Sequence, residues 1–230
     1  GQAKLETRVR LSAGDIAPGR SPLAQRLRRR PTVFTARQLL EHMLLNSDTT
    51  AADALVKLGG GPQKFQAVIR SFGIEGLRID RYEREQDPKS LGLDPAAGEA
   101  KLRSALERYM RDPRDSASPR AIATLFFKLL SGHLIQPRFA MLIVDLMRRS
   151  KTGEDRLKGG MLPGWTFAQQ GGVALRVADV VPVFNDAGLA TNKAGAKIAI
   201  VLFIEGASLP ADELARFHRA TARAVLQAWG

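Results

Sequence analysis

The chain has 230 residues, 44% of them hydrophobic and 25% charged, which fits one large domain or two lobes sharing a core and is ordinary for a soluble globular protein. No apolar run approaches the roughly 18 residues of a membrane helix, and the absence of cysteine excludes disulfides, thiolate nucleophiles and Cys-ligated metals. The formal charge is +12, densest at Arg26-Leu27-Arg28-Arg29-Arg30 with Arg20 nearby; no aromatic residue is interleaved to stack on bases, so this reads as a solvated basic loop and no nucleic-acid partner is expected. Gly1-Gln2-Ala3-Lys4-Leu5-Glu6 carries no charged-then-apolar export signal, so any such signal would lie upstream.

Residues 5–12 alternate weakly, as an edge strand or an extended lead-in, and residues 13–32, rich in Gly, Pro and Arg, read as loop. Thr35-Ala36-Arg37-Gln38 is a capping box, and Leu39, Leu40, Met43 and Leu44 follow at helical spacing. A second helix is predicted over 50–58, stopped by Gly59-Gly60-Gly61, and a third over 63–72 with Phe65, Val68 and Ile69 inward. Residues 83–94 are polar loop, and a helix over 95–111 would present Leu102, Leu106 and Met110. Ser118-Pro119 opens a helix that Gly132 ends, and another runs over 137–149. Strands are predicted over 165–168, 186–191 and 198–205, with a hairpin turn at Asn192-Lys193-Ala194-Gly195. A last helix, opened by Pro210-Ala211-Asp212-Glu213, would place Leu214, Phe217, Thr221, Val225 and Trp229 on one side.

Several landmarks recur in a fixed order. Ser47-Asp48-Thr49 lies between two predicted helices; Arg81-Tyr82-Glu83-Arg84-Glu85 follows; Arg114-Asp115-Ser116-Ala117-Ser118-Pro119 opens a helix; Gly159-Gly160-Met161-Leu162-Pro163-Gly164-Trp165 leads into Thr166-Phe167-Ala168-Gln169-Gln170-Gly171-Gly172; and Asn185-Asp186-Ala187-Gly188 starts the next strand. Together, over nearly all of the chain, they resemble the class A serine β-lactamase family, whose active-site Ser forms an acyl-enzyme that water then hydrolyses. The resemblance implies an α+β fold, with a helical lobe packed on an α/β lobe bearing an antiparallel sheet. The lobes would be 31–158, with an extended loop 81–115, and 1–12 plus 159–230. By the same resemblance Ser47 takes the position of a proton-relaying hydroxyl. Thr49 stands where the family has an Asn that contacts substrate, Glu83 where it has the deacylation base, and Arg81 and Asp115 where an ion pair clamps the loop that carries the base. Each also has a plainer reading: Ser47 as a helix N-cap, Glu83 as a solvated carboxylate in a charged run, Arg81 and Asp115 as unpaired.

Three departures qualify the resemblance. The family nucleophile is a Ser with Lys three residues later, and no Ser of this chain has one; in family order that element precedes Leu5, so the chain is expected to start after it. The family's Lys-Thr-Gly or Lys-Ser-Gly strand is here Gln170-Gly171-Gly172, which loses a charged hydrogen bond to the substrate carboxylate worth roughly 1.5–3 kcal/mol. Lys151-Thr152-Gly153 spells the motif but lies in a polar loop, so it is not taken as that strand. Third, the loop between Arg81 and Asp115 is long. His42, His133 and His218 lack ligand spacing, and no metal or other cofactor is implied. The expectation is therefore a β-lactam-hydrolysing acyl-serine enzyme seen without its nucleophile, or a catalytically weakened relative that binds a lactam, a peptidoglycan-like ligand or a protein partner. Loss of a central helix would call for a second chain or a swapped segment to complete the helical lobe. Location in the periplasm or outside the cell follows from the resemblance alone.

Overall fold

The computed structural model describes residues 4–229. Its contacts divide the chain into two units, one of residues up to Gly92 with Pro113–Ser116, the other of Leu93–Asp112 with Ala117 onward. The divisions drawn from the sequence fall elsewhere: residues 4–12 lie in the first unit, and the helices between Ala117 and Arg149 lie in the second.

In the first unit, β1 (Arg8–Leu11) pairs antiparallel with β2 (Thr32–Thr35), Arg10 opposite Val33. Between them the expected loop contains a helix, α1 (Leu23–Arg29), which buries Leu23, Ala24 and Leu27 and leaves its arginines in solvent. The density of arginine hid this short amphipathic stripe from a compositional reading. Thr35 caps α2 (Ala36–Asn46): its hydroxyl accepts the Gln38 amide at 3.2 Å and Gln38 Oε1 accepts the Thr35 amide at 2.9 Å. Leu11, Leu27, Phe34, Leu39 and Ala51 form the buried core between these elements and α3 (Thr49–Leu58). Then α4 (Pro62–Ser71) follows, half-burying Phe65 and Ile69; Val68, expected inward, is 45% exposed.

In the second unit a 3-10 turn, Pro95–Ala97, and α5 (Glu99–Arg111) replace the single helix expected there, because Gly98 takes φ +84 between them. Leu102 and Leu106 are buried, whereas Met110 is 43% exposed. Ser118 accepts the Ala121 amide and caps α6 (Pro119–Leu130), and α7 (Pro137–Arg149) follows. The sheet is antiparallel in the order β3 (Trp165–Val173), β4 (Val181–Asn192), β5 (Lys197–Ala207). β4 is buried on both faces over most of its length, as a central strand covered on both sides must be. The hairpin turn closes through Gly195 N to Asn192 O at 3.1 Å.

The last helix, α8 (Ala211–Trp229), packs Leu214, Ala215, His218, Ala222 and Leu226 inward. Phe217 and Trp229, predicted on the buried side, are 58% and 62% exposed. Ala222 lets the helix come close to the 3-10 turn Leu157–Gly160, where a Cβ on Gly160 would lie 2.9 Å from the Ala222 Cβ, and Ala215 packs with Val181, Phe184 and Leu214, so the inward stripe is marked by alanine as well as by large side chains. No helix of the described residues is long and apolar enough to cross a membrane. The helices with two antiparallel sheets make an α+β fold.

Candidate active site

In the first unit, Ser47 ends α2 with φ 53 and ψ 45, the left-handed region, and is half-buried. A non-glycine residue there costs about 1–2 kcal/mol, and such strain is concentrated at functional positions. The cap of α3 is Asp48, not Ser47. Its buried carboxylate accepts the amides of Ala51 at 2.9 Å and Leu23 at 2.8 Å and lies 3.1 Å from Ser21 Oγ. Thr49 faces the loop before α1: its hydroxyl is 2.8 Å from Pro18 O and 3.2 Å from Arg20 O, and its amide donates to Arg20 O. A hydroxyl has one proton to donate, so those carbonyls occupy it.

Glu83 opens a 3-10 turn, Glu83–Gln86. Two carboxylates grip the backbone around it. Asp115, itself at φ 51, accepts the Asp80 amide at 2.7 Å, the Arg81 amide at 3.0 Å and Arg81 Nε at 2.6 Å, with both side chains nearly buried. Asp53, on α3 and 3% exposed, accepts the Glu83 amide at 2.7 Å, the Arg84 amide at 3.2 Å and Arg84 Nε at 3.1 Å. The Glu83 carboxylate accepts no hydrogen bond among the described residues, and Glu83 as a residue is exposed. Partial desolvation, then the charges of Asp53 and Asp115, push its pKa above the ordinary value. A cavity of about 490 Å³ beside this turn is lined by Val9, Leu11, Asp53, Leu58, Tyr82 and Arg84, among others.

In the second unit, Gln170, Gly171 and Gly172 lie on β3 opposite Ala187, Asp186 and Asn185. Gln170 is half-buried and its Oε1 has no partner among the described residues. Gly171 is explained by a neighbour that sequence reasoning missed. A Cβ there would lie 2.5 Å from Arg156 Nη1, 2.8 Å from Asn185 O and 2.9 Å from Asp186 Oδ1. Gly153, at φ +72, likewise leaves room for the same guanidinium. Arg156 is 7% exposed, donates to Asn185 O at 2.8 Å and lies over the Phe184 ring. The strand that lacks lysine is thus backed by a buried arginine. Lys151-Thr152-Gly153 is a turn: Lys151 projects into solvent, 3.7 Å from Glu154, and the Thr152 carbonyl accepts from Gln169 Nε2.

Asp53, Arg84 and Arg156 carried no readable motif. A hint was available for Asp53, a charged residue on the buried stripe of α3 beside Thr50, Ala51 and Ala54. Arg156 is recognisable only once Gly153 and Gly171 meet around it. Among the described residues no group of His, Asp or Glu could hold a metal ion.

The sequence model of the beta-lactamase enzyme family matches residues 1–229. The chain belongs to that family. Among curated proteins it is 28% identical over 171 residues to Beta-lactamase FAR-1 of Nocardia farcinica, an alignment that covers 74% of this chain and 47% of that protein. The chain therefore spans about half the length of the curated relatives it matches. Among solved structures, an ancestral class A β-lactamase superposes with a TM-score of 0.79 at 25% identity, over 98% of this chain and 76% of that one. A β-lactamase of Chitinophaga pinensis gives 0.83 at 19% identity, over 99% and 77%. The class A β-lactamase fold is thereby assigned to both units.

Proposed function

We propose that this class A family member takes part in β-lactam hydrolysis by the acyl-serine route, with Glu83 as the base of deacylation. The observation that carries this reading is the Glu83 carboxylate: accessible, without a hydrogen-bond partner among the described residues, held through its backbone on both sides, and raised in pKa. A carboxylate with those properties is able to take a proton from a water that attacks the acyl-ester carbonyl. Arg81 and Asp115 hold the segment on which the base sits. Ser47 relays a proton to the departing lactam nitrogen. The nucleophile is a Ser with Lys three residues on, supplied from outside these 230 residues, and the cavity beside Tyr82 and Arg84 is consistent with a further segment or a second chain packing there. On the second unit, Arg156 supplies the positive charge that Gln170 lacks, with Gln170, Gly171 and Gly172 offering the strand edge to a substrate carboxylate. No metal enters this chemistry, and export from the cytoplasm accompanies it.

A second reading, a family member that binds a lactam or a peptidoglycan-like ligand without turning it over, is favoured by Thr49, whose hydroxyl is occupied by Pro18 and Arg20 carbonyls. Turnover of a chromogenic cephalosporin by protein expressed from the complete reading frame separates the two. Hydrolysis supports the first. Saturable binding without hydrolysis, unchanged in Gln170→Lys, leaves only the second.

A further inference from the structure

The basic segment that reads as a solvated loop contains one arginine that is not loose. Residues 17–23 are stitched along the turn that carries Ser47. The Ala17 amide donates to Thr50 Oγ1 at 3.0 Å, the Leu23 amide donates to Asp48 at 2.8 Å, and the Thr49 hydroxyl is 2.8 Å from Pro18 O. Arg20, in the middle of this strap, is fixed at both ends. Its carbonyl accepts the Thr49 amide at 2.9 Å, and its side chain donates through Nε to Asn46 O at 2.8 Å. That oxygen belongs to the peptide unit joining Asn46 to Ser47, so the guanidinium is tethered beside the residue read as the proton relay. Arg20 is nevertheless exposed, and its two Nη groups meet no acceptor among the described residues.

A guanidinium has five N–H donors, and Nε uses one. The edge between Nη1 and Nη2 remains a planar fork that fits a carboxylate through two parallel hydrogen bonds. The tether also removes much of the side chain's freedom before a ligand arrives, which lowers the cost of binding. By resemblance, Thr49 stands where the family has an amide that contacts substrate. Here the hydroxyl and the backbone amide of Thr49 are both turned to the strap, so a cation stands beside the place of a neutral amide. From this we propose that Arg20 binds a carboxylate on the acyl side chain of the ligand, so that this chain selects β-lactams whose side chain is anionic. The proposal rests on the acyl-serine reading of the site and goes beyond it by naming the substrate class. Thr49 is then a positioning residue, acting through Arg20.

The test uses protein from the complete reading frame, benzylpenicillin and its α-carboxy analogue, which differ by one side-chain carboxylate and share the ring carboxylate. The readout is the ratio of their acylation rates. The parent is expected to favour the α-carboxy compound, and Arg20→Gln to lower that ratio by about ten- to a hundredfold. Arg20→Lys, which keeps the charge without the fork, should retain part of the preference. Thr49→Val should lower the ratio less than Arg20→Gln does. A parent that does not favour the α-carboxy compound overturns the proposal. So does an Arg20→Gln protein in which both rates fall equally, as a merely structural role requires. A second measurement needs no lactam: phenylmalonate, the acyl group of the α-carboxy compound, is titrated while the arginine Nε signals are followed by NMR. A saturable shift at Arg20, much smaller with phenylacetate, is expected. If the parent reacts with neither penicillin, the functional reading fails, and this titration still decides whether the carboxylate site exists: no shift at Arg20 overturns it.

Discussion

Asp186 offers a quantitative test of the second unit. Its side chain is 1% exposed on the central strand, where its carboxylate accepts the amides of Leu157 at 3.1 Å and of Ala187 at 3.1 Å. Burial pushes its pKa up from the ordinary 3.8 to about 6, against the opposing pull of Arg156 and those two amides. The folded protein therefore holds the Asp186 proton more tightly than the unfolded chain does. Stability from this group is fully present below pH 3.8 and is lost as pH rises through about 6. At roughly 1.4 kcal/mol per pH unit the loss amounts to about 3 kcal/mol. Asp186→Asn cannot ionise, and its Oδ1 retains an acceptor for the Leu157 amide. Any cost of the new amide is independent of pH and cancels from the slope. Urea unfolding of both proteins at several pH values between 4 and 7 measures the difference. The stability of the parent relative to Asp186→Asn should fall by about 2.4 kcal/mol across that range, the remainder of the loss lying below pH 4. A flat difference, or one of opposite sign, would show that Arg156 fully compensates an ionised Asp186 and would refute this reasoning.

Three further outcomes are expected. Gly171→Ala should destabilise by about 1–3 kcal/mol because its Cβ meets Arg156, Asn185 and Asp186, whereas Gly172→Ala, which meets nothing within 4 Å, should be close to neutral; thermal melts compare them directly. Asp115→Ala leaves the Asp80 and Arg81 amides and a nearly buried guanidinium without their acceptor, so a loss of about 3 kcal/mol and early proteolytic cleavage in the 80–115 segment are predicted, with limited proteolysis as the readout. On α8, Leu226→Ala should cost about 2–5 kcal/mol and Phe217→Ala well under 1 kcal/mol, and chemical unfolding of the pair distinguishes the inward stripe from the one its aromatics suggested.

What could be read from the sequence was local. Thr35 with Gln38 and Ser118 with Pro119 start helices through hydrogen bonds made within four residues, so their signals survive without tertiary context. The α1 helix escaped because seven residues with three arginines have too short a stripe to outweigh a loop-like composition. The face of α8 was misjudged because close packing at Ala222 against Gly160 selects alanine, which an apolar count weights lightly. The order of landmarks singled out Ser47, Glu83, Arg81 and Asp115 as candidates, and Arg81 and Asp115 do pair, but other groups that hold these segments lie far away in sequence. Asp53 reaches Glu83 across 30 residues, and Arg156 reaches Asn185 across 29. Gln170-Gly171-Gly172 read as a decayed strand. The packing gives Gly171 a positive reason, since any side chain there would displace a buried guanidinium.

The most direct test of the proposed chemistry is the mass of the protein, expressed from its complete reading frame, after mixing with a penicillin, for the parent and for Glu83→Gln. If Glu83 is the deacylation base, the parent turns the penicillin over and returns to its free mass, while Glu83→Gln retains one covalently bound penicilloyl group. A Glu83→Gln protein that forms no adduct, or that releases it as fast as the parent, would contradict that role.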